Sequence, residues 1–190
     1  HETSESLTLS GGVDFRTYQG EHYAEVFDLL GGDYFVDTRN ANASTNMRVV
    51  GDKIGYHNDA FVRWGGAFAL LEYKGYLWNA FLNVSAVTQG YKSVDYFAEL
   101  QEDGQFTTSG WKWIPGYTIK TGGNYNLSEY ANTFVNLGHL YRTPVFRNVV
   151  DFENNFVENT ENERINSVEW GYSFSKFPFS VNINAYYTDW

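Results

Sequence analysis

Side chains able to do catalysis are sparse and widely spaced in this chain of 190 residues. The chain has no cysteine, which excludes disulfides, thiolate metal sites and a cysteine nucleophile. The signatures of serine hydrolases (GxSxG), zinc proteases (HExxH), phosphate-binding loops and dinucleotide-binding folds are all missing from the sequence. The sequence therefore predicts that the protein is not an enzyme, has no catalytic residue and needs no cofactor.

The sequence contains two groups of potential metal ligands. His22 and His57 lie in one long polar stretch, with Glu21 and Asp59 beside them. The segment DFENNFVENTENE at 151–163 is rich in oxygen ligands, but it lacks the Asp-x-Asp-x-Asp-Gly order of a known calcium loop. Histidines in loops are more often simply polar, and a solvated loop explains the acidic segment better. We therefore predict no metal site.

Four side chains are candidates for contacting a ligand. Trp111 and Trp113 stand in a polar stretch, where exposed indole rings can stack on a sugar ring. Arg16 and Lys120 occupy polar positions of alternating segments, where they would line a lumen. For both residues, pairing with Asp14 or with other acids of the lumen is the simpler explanation.

The negative charge of the chain is concentrated in three long polar stretches, at about 19–59, 90–112 and 143–163. Against 13 Lys and Arg the chain has 23 Asp and Glu, and its net charge is −10. The three stretches carry −4, −2 and −4, so the remaining residues are neutral. A net charge of this sign excludes nucleic acid as a partner. We predict that the three stretches are loops, because they are polar and lack sustained periodicity.

Between and beside these loops, apolar residues recur at every second position, which predicts β-strands. The seven predicted strands are 7–18, 60–74, 76–89, 116–127, 131–142, 165–175 and 179–190. Segment 60–74 is apolar on both faces, and its orientation stays open. The best helical candidate is the short stretch Tyr23–Leu30, inside the first predicted loop. The pattern thus predicts an all-β fold, an antiparallel meander.

Long connections alternate with tight turns, which are expected at Lys74–Gly75, around 126–130 and at 176–178. Aromatic residues cluster at the turns and again at the opposite strand ends, and no charged residue falls on the assigned apolar faces between them. Most predicted strands have the length that a tilted strand needs to cross a bilayer. A soluble β-sandwich also alternates polar and apolar residues. Four features together favour part of a transmembrane outer-membrane barrel with extracellular long loops: the strand length, the alternation of long and short connections, the paired aromatics at the turns, and the charge confined to one end.

Several stretches resemble TonB-dependent receptors of the Bacteroidetes type. The most specific are GGNYNLSEY followed by NTFVNLG, then the Arg-Thr-Pro sequence at 142–144 and NERINSVEWGY. The resemblance covers nearly the whole chain and is in register with the predicted strands. It implies a 22-stranded barrel with an N-terminal plug in the bacterial outer membrane. Such a receptor imports a scarce nutrient (a siderophore, vitamin or oligosaccharide) with energy passed on by TonB.

The chain departs from this family in having no TonB box and no plug. Because bacterial barrels have an even number of strands, we expect residues 1–190 to be a partial barrel domain, about seven strands of a larger barrel. The expected partners are outer-membrane lipid, an unknown nutrient ligand, and TonB through a plug not present in this chain. Acidic, aromatic loops suit sugars, and also cationic or metal-chelated ligands. A soluble β-sandwich that binds a ligand or carbohydrate through Trp111 and Trp113 stays open as the alternative.

Overall fold

The structure, a computed structural model, describes residues 6–190. Its strands are β1 (Ser6–Glu25), β2 (Phe35–Val36), β3 (Met47–Arg48), β4 (Lys53–Lys74), β5 (Trp78–Asp95), β6 (Thr107–Thr108), β7 (Lys112–Ser128), β8 (Ala131–Arg142), β9 (Glu163–Lys176) and β10 (Phe179–Asp189). A short 3-10 turn covers Phe146–Asn148. Among the described residues, no helix is long and apolar enough to cross a membrane.

The seven long strands form one antiparallel sheet in the order β1-β4-β5-β7-β8-β9-β10, so each pairs with the next long strand along the chain. β6 pairs with β5, and β2 with β3 forms a separate short ribbon. Tight turns at 75–77, 129–130 and 177–178 lie at one end of the sheet, the turn end. The loops at 26–52, 96–111 and 143–162 lie at the other, the loop end, and are called the first, second and third loops. The predicted antiparallel meander is confirmed.

The predicted loop boundaries need correction, because three strands run further than their apolar pattern. β1 continues to Glu25 and β4 begins at Lys53, so the first loop is 26–52 and not about 19–59. The second loop is 96–111, because β5 continues to Asp95. A sheet ladder is built from backbone N–H and C=O groups, so it continues through polar residues once neighbouring strands are aligned. The polar composition therefore begins before the strands end.

The helical candidate Tyr23–Leu30 does not form a helix. Tyr23 pairs with His57 and Ala24 with Ile54, with a bulge between these two pairs. The chain then leaves the sheet in irregular structure, and Leu30 has a φ of +52°, which an α-helix does not contain. The stretch therefore belongs to the end of a strand and to a loop.

The register places all the assigned apolar positions on one face of the sheet, here called the apolar face. Leu9 pairs with Leu71 and Leu71 with Leu82, while Val84 pairs with Ile119 further along the sheet. The same pairing settles the orientation of segment 60–74, whose odd-numbered residues 65–73 lie on the apolar face. Most large side chains of this face are exposed, among them Leu71 at 37% and Phe15 at 80%.

The opposite side of the sheet, the polar face, holds the small buried core at its loop end. Tyr91 and Ile114 of the sheet pack with Val149 and Val150 of the third loop. The partly buried residues Val62, Phe146 and Phe156 extend this cluster. The core therefore lies between the polar face and a loop that folds back over it, while the apolar face contributes nothing to it.

Candidate ligand-binding cavity

Asn154 attaches the third loop to the polar face. Its side-chain Nδ2 donates to Oδ2 of Asp95 at 2.6 Å, and its Oδ1 accepts from Oγ of Ser93 and, at 3.2 Å, from Nδ2 of Asn58. Asn154 is only 7% exposed and has a φ of +62°, a left-handed conformation that asparagine adopts more readily than most residues. Most of segment 151–163 is exposed, as expected of a solvated loop, while Asn154 is buried against the sheet and anchors the segment.

Further hydrogen bonds hold the two ends of the third loop. The Tyr91 hydroxyl donates to the carbonyl oxygen of Pro144 at 2.5 Å. Nζ of Lys112 donates to the carbonyl oxygen of Val157 at 3.1 Å and to Oγ1 of Thr160 at 3.2 Å. Because its beginning, middle and end are all bonded to the sheet, the loop has a defined position and can form a stable wall.

A cavity of about 700 Å³ lies at the loop end of the polar face. The size is within the range of small-molecule sites. Strands β1 and β4, the first loop and the third loop each contribute to its walls. The side chains that bear on its chemistry are His22, Arg39, Tyr56, Asp95, Arg147 and Phe152. A charged and aromatic lining at the end of the sheet where the long loops meet makes this cavity the candidate ligand site.

Two of the predicted ligand-contacting residues, Arg16 and Lys120, lie on the polar face but outside this cavity. Nε of Arg16 is 3.1 Å from Oδ2 of Asp14, which confirms the predicted pairing, and its guanidinium lies 5.8 Å from the Trp64 ring. Arg16 lines a second cavity of about 660 Å³ further along the polar face. Lys120 pairs in register with Asn83 and Gly138, nearer the turn end.

The other two predicted residues, Trp111 and Trp113, lie on the apolar side of the sheet. Their rings stack with centroids 5.7 Å apart and an interplanar angle of 23°. The guanidinium of Arg63 lies 4.4 Å from the centroid of the Trp111 ring. Trp113 pairs with Gly90, which in turn pairs with Arg63. The structure therefore divides the four predicted residues between two faces and does not assemble them into one site.

The Trp113 ring lies directly over Gly90, and this contact leads to a test. A Cβ at position 90 would be 2.8–2.9 Å from three carbons of the ring. We expect Gly90→Val to push the indole away, to abolish its stacking on Trp111 and to cost about 1–3 kcal/mol through overpacking. Near-ultraviolet circular dichroism should show the loss of the coupled tryptophan signal. An unchanged spectrum would contradict the contact, and Thr88→Val, two residues earlier on the same face, is the control.

His22 and His57, the histidines considered as potential metal ligands, have different partners in the structure. Nε2 of His57 bonds Oε1 of Glu21 at 2.8 Å, and Nζ of Lys53 bonds the same oxygen. The His57 ring packs on Tyr96, with centroids 4.3 Å apart. His22 instead pairs in register with Asn58. Within residues 6–190, no three His, Asp or Glu side chains converge as metal ligands.

Glu21, Lys53 and His57 form a cluster beyond the apolar part of β1, and the contribution of this cluster to stability should depend on pH. Hydrogen bonds from Lys53 and then His57 hold the pKa of Glu21 below its ordinary value. A lowered pKa of a carboxyl means that the contact stabilises the fold above the pKa of the unfolded chain, and that this contribution is lost as pH falls through the folded pKa. Lys53→Met should therefore raise the pKa of Glu21.

The measurement for this prediction is an NMR titration of the Glu21 side-chain carboxyl. Lys92→Met is the matched control, because its ammonium lies 5.7 Å from the Phe61 ring and not on Glu21. The same titration midpoint for Glu21 in all three proteins would show that Lys53 does not hold the carboxylate.

Of the residues that line the cavity, His22, His57 and part of segment 151–163 stood out in the sequence, but only as potential metal ligands, and the two arginines did not stand out. Arg39, Arg147 and Asn154 stand in polar stretches without any motif. The usable signal was the apolar pair Val149–Val150, which is unusual within an acidic loop and marks the part that folds onto the sheet. No comparable signal pointed to Arg39.

The fold and the cavity together define the chain as an all-β antiparallel meander with one bare apolar face and a loop-covered polar face. In comparisons with known protein families, curated proteins and solved structures, the chain matches none. Its function is therefore argued from the geometry of the sheet and the cavity.

Proposed function

We propose that the chain is a segment of the barrel of an outer-membrane TonB-dependent receptor that takes up a scarce nutrient. The observation that supports this proposal is the apolar face, which continues across all seven long strands and is exposed in its middle, with Leu82 at 41%, Leu137 at 49% and Ile183 at 50%. Contiguous apolar surfaces of this extent are rare on soluble monomers and are typical of lipid-facing or partner-facing surfaces.

The height of the apolar face suits a bilayer. In β5, the positions between Trp78 and Gly90 form the apolar band, about eleven residues, against the 9–11 that a tilted transmembrane strand needs. At the turn end, the rings of Tyr73 and Trp78 pack 4.2 Å apart. At the loop end, the rings of Tyr117 and Tyr141 pack 5.4 Å apart, beside the stacked indoles of the second loop and β7.

The position of these aromatic pairs favours a membrane interface. Amphipathic rings are enriched at the boundary between headgroups and hydrocarbon. We assign Trp111 and Trp113 to this boundary, because they lie on the apolar face with the guanidinium of Arg63 above one ring. His139, on the same face, bonds Oδ1 of Asn166 at 2.6 Å and the Tyr117 hydroxyl at 3.2 Å, which satisfies its polar atoms there.

The cavity on the polar face supplies the receptor part of the proposal. It opens at the loop end, which faces the outside of the cell in outer-membrane barrels. Coupling to TonB through a plug domain belongs to the same proposal. The alternative, a soluble β-sandwich, would cover the apolar face with a second sheet. Within residues 6–190 the second sheet is the ribbon of β2 and β3, with two residues in each strand, which is too small to do so.

Membrane fractionation of the complete gene product tests this proposal. The protein should sediment with the outer membrane on a sucrose density gradient, resist extraction by salt and alkali, and dissolve only in detergent. A known periplasmic protein in the same cells controls for lysis. Recovery of the folded protein in the soluble fraction without detergent would refute the barrel proposal and leave the β-sandwich.

A further inference from the structure

Two arginines line the candidate cavity without a carboxylate partner. Arg39 comes from the first loop and Arg147 from the third, and both side chains are exposed. The ion pairs formed within residues 6–190 involve other cations: Arg16, Lys53, His57 and Arg142. A guanidinium has five N–H donors and no acceptor. Both side chains are therefore available to an anion that enters the cavity.

The two acidic side chains in the lining are already bonded within the protein. Asp95 accepts from the backbone N–H of Phe97 at 2.8 Å and of Ala98 at 3.1 Å, and also from Asn154. Oδ1 of Asp151 accepts from the backbone N–H of Glu153 and of Asn155, each at 2.9 Å. These carboxylates hold the loop backbone in place, and the donated hydrogen bonds stabilise their negative charge. Both oxygens of Asp95 are thus occupied by donors of the protein, and one oxygen of Asp151 is.

Aromatic rings accompany the arginines. The guanidinium carbon of Arg147 lies 5.0 Å from the centroid of the Phe152 ring, which is 85% exposed. A guanidinium held over a ring uses its flat face, so its N–H groups at the edge stay free to donate. Tyr56, which is 52% exposed, adds a second ring to the lining. The cavity therefore combines cationic donors with flat aromatic surfaces.

We propose that this cavity binds an anionic ligand that carries a ring, with its carboxylate or phosphate group held by Arg39 and Arg147 and its ring against Phe152 or Tyr56. This inference rests on the proposed receptor function and narrows the nutrient to an acidic ring compound. It runs against the net charge of the loops, which suits cationic ligands. The cavity differs from the loops as a whole because its acidic side chains accept hydrogen bonds within the protein, whereas Arg39 and Arg147 have no carboxylate partner.

Isothermal titration calorimetry on the complete receptor in detergent micelles tests the inference. The probes are D-glucuronate, benzoate and inorganic phosphate, with D-glucose as the neutral control. We expect at least one of the anions to bind and D-glucose to bind much more weakly. Loss of two charge-assisted contacts in the double variant Arg39→Gln/Arg147→Gln should weaken that binding about tenfold or more.

Arg164→Gln is the matched control, because Arg164 is exposed at the loop end but pairs with Tyr141 on the apolar side. It should bind the anion as the unmodified receptor does. Phe152→Ala should weaken D-glucuronate or benzoate but not phosphate. The order of the three anions separates a sugar acid, an aromatic acid and a phosphate.

Two results would overturn the inference: none of the three anions binds, or the double variant binds them as tightly as the Arg164→Gln control. A receptor that fractionates with the outer membrane but gives either result would retain its proposed function and lose only the ligand class. Recovery of the protein in the soluble fraction would instead refute the proposed receptor function, on which this inference rests.

Discussion

Replacing Leu82 by arginine is expected to destabilise the protein in a lipid bilayer by about 2–4 kcal/mol. Leu82 lies in the middle of the apolar face, paired with Leu71 on one side and Thr121 on the other. A guanidinium at this height must either lose its hydration or bend toward the headgroups, and both are costly. Equilibrium unfolding by urea in phospholipid vesicles measures the change in the free energy of unfolding.

The matched control is Ser85→Arg, on the same strand and on the polar face. Ser85 lines the cavity of about 660 Å³ and pairs with Phe68 and Thr118. An arginine there can extend into open space, so we expect a cost below about 1 kcal/mol, which is usual for surface substitutions. Equal costs at the two positions, or the larger cost at Ser85, would contradict the assignment of the faces.

Replacing Asn154 by alanine is expected to release the third loop. The change removes the hydrogen bonds to Asp95, Ser93 and Asn58, and it leaves polar groups without partners in a buried place. Each buried group left unsatisfied costs about 1–3 kcal/mol, so we expect a local loss of about 3 kcal/mol. The sheet ladder is untouched, and the effect should stay within 143–162.

Limited proteolysis and hydrogen exchange of residues 143–162 measure this effect. Trypsin should cut after Arg147 much faster in Asn154→Ala than in the unmodified protein. Asn159→Ala is the control, because Asn159 also has a positive φ, +56°, but is exposed. This variant should lose only the preference of asparagine over alanine for a positive φ, a cost of about 1 kcal/mol in the free energy of unfolding. The same cleavage rate in both variants would show that Asn154 does not hold the loop.

The strands and their faces were predictable from the sequence for a geometric reason. Successive side chains of a strand point to opposite sides, so an apolar face imposes a period of two on the sequence. The period of two could not orient segment 60–74, because apolar residues such as Val62 and Phe68 also lie on its polar face. Only the pairing of Leu71 with Leu9 and Leu82 settles its orientation, and register is a property of two strands together.

The candidate site was not predictable in the same way. Arg39 and Arg147 are far apart in the chain, and both line one cavity because the third loop folds back and is held by Asn154. The local sequence of the third loop does not indicate that the loop folds back over the sheet. The aromatic pair Trp111 and Trp113 attracted a ligand-binding interpretation by composition, but the register of β7 places it on the opposite side of the sheet.

Single-cysteine labelling along β5 tests the central claim, that one face of the sheet meets lipid, most directly. The chain has no cysteine, so one thiol can be introduced at each of residues 80–87 in turn, in a receptor reconstituted in vesicles and free of any other cysteine. A charged, water-soluble maleimide and a bilayer-confined maleimide then compete for each thiol. We predict strict alternation, with lipid labelling at Ala80, Leu82, Val84 and Ala86 and aqueous labelling at Phe81, Asn83, Ser85 and Val87. Aqueous labelling without alternation, or no reaction of any position with the bilayer-confined reagent, would contradict the account.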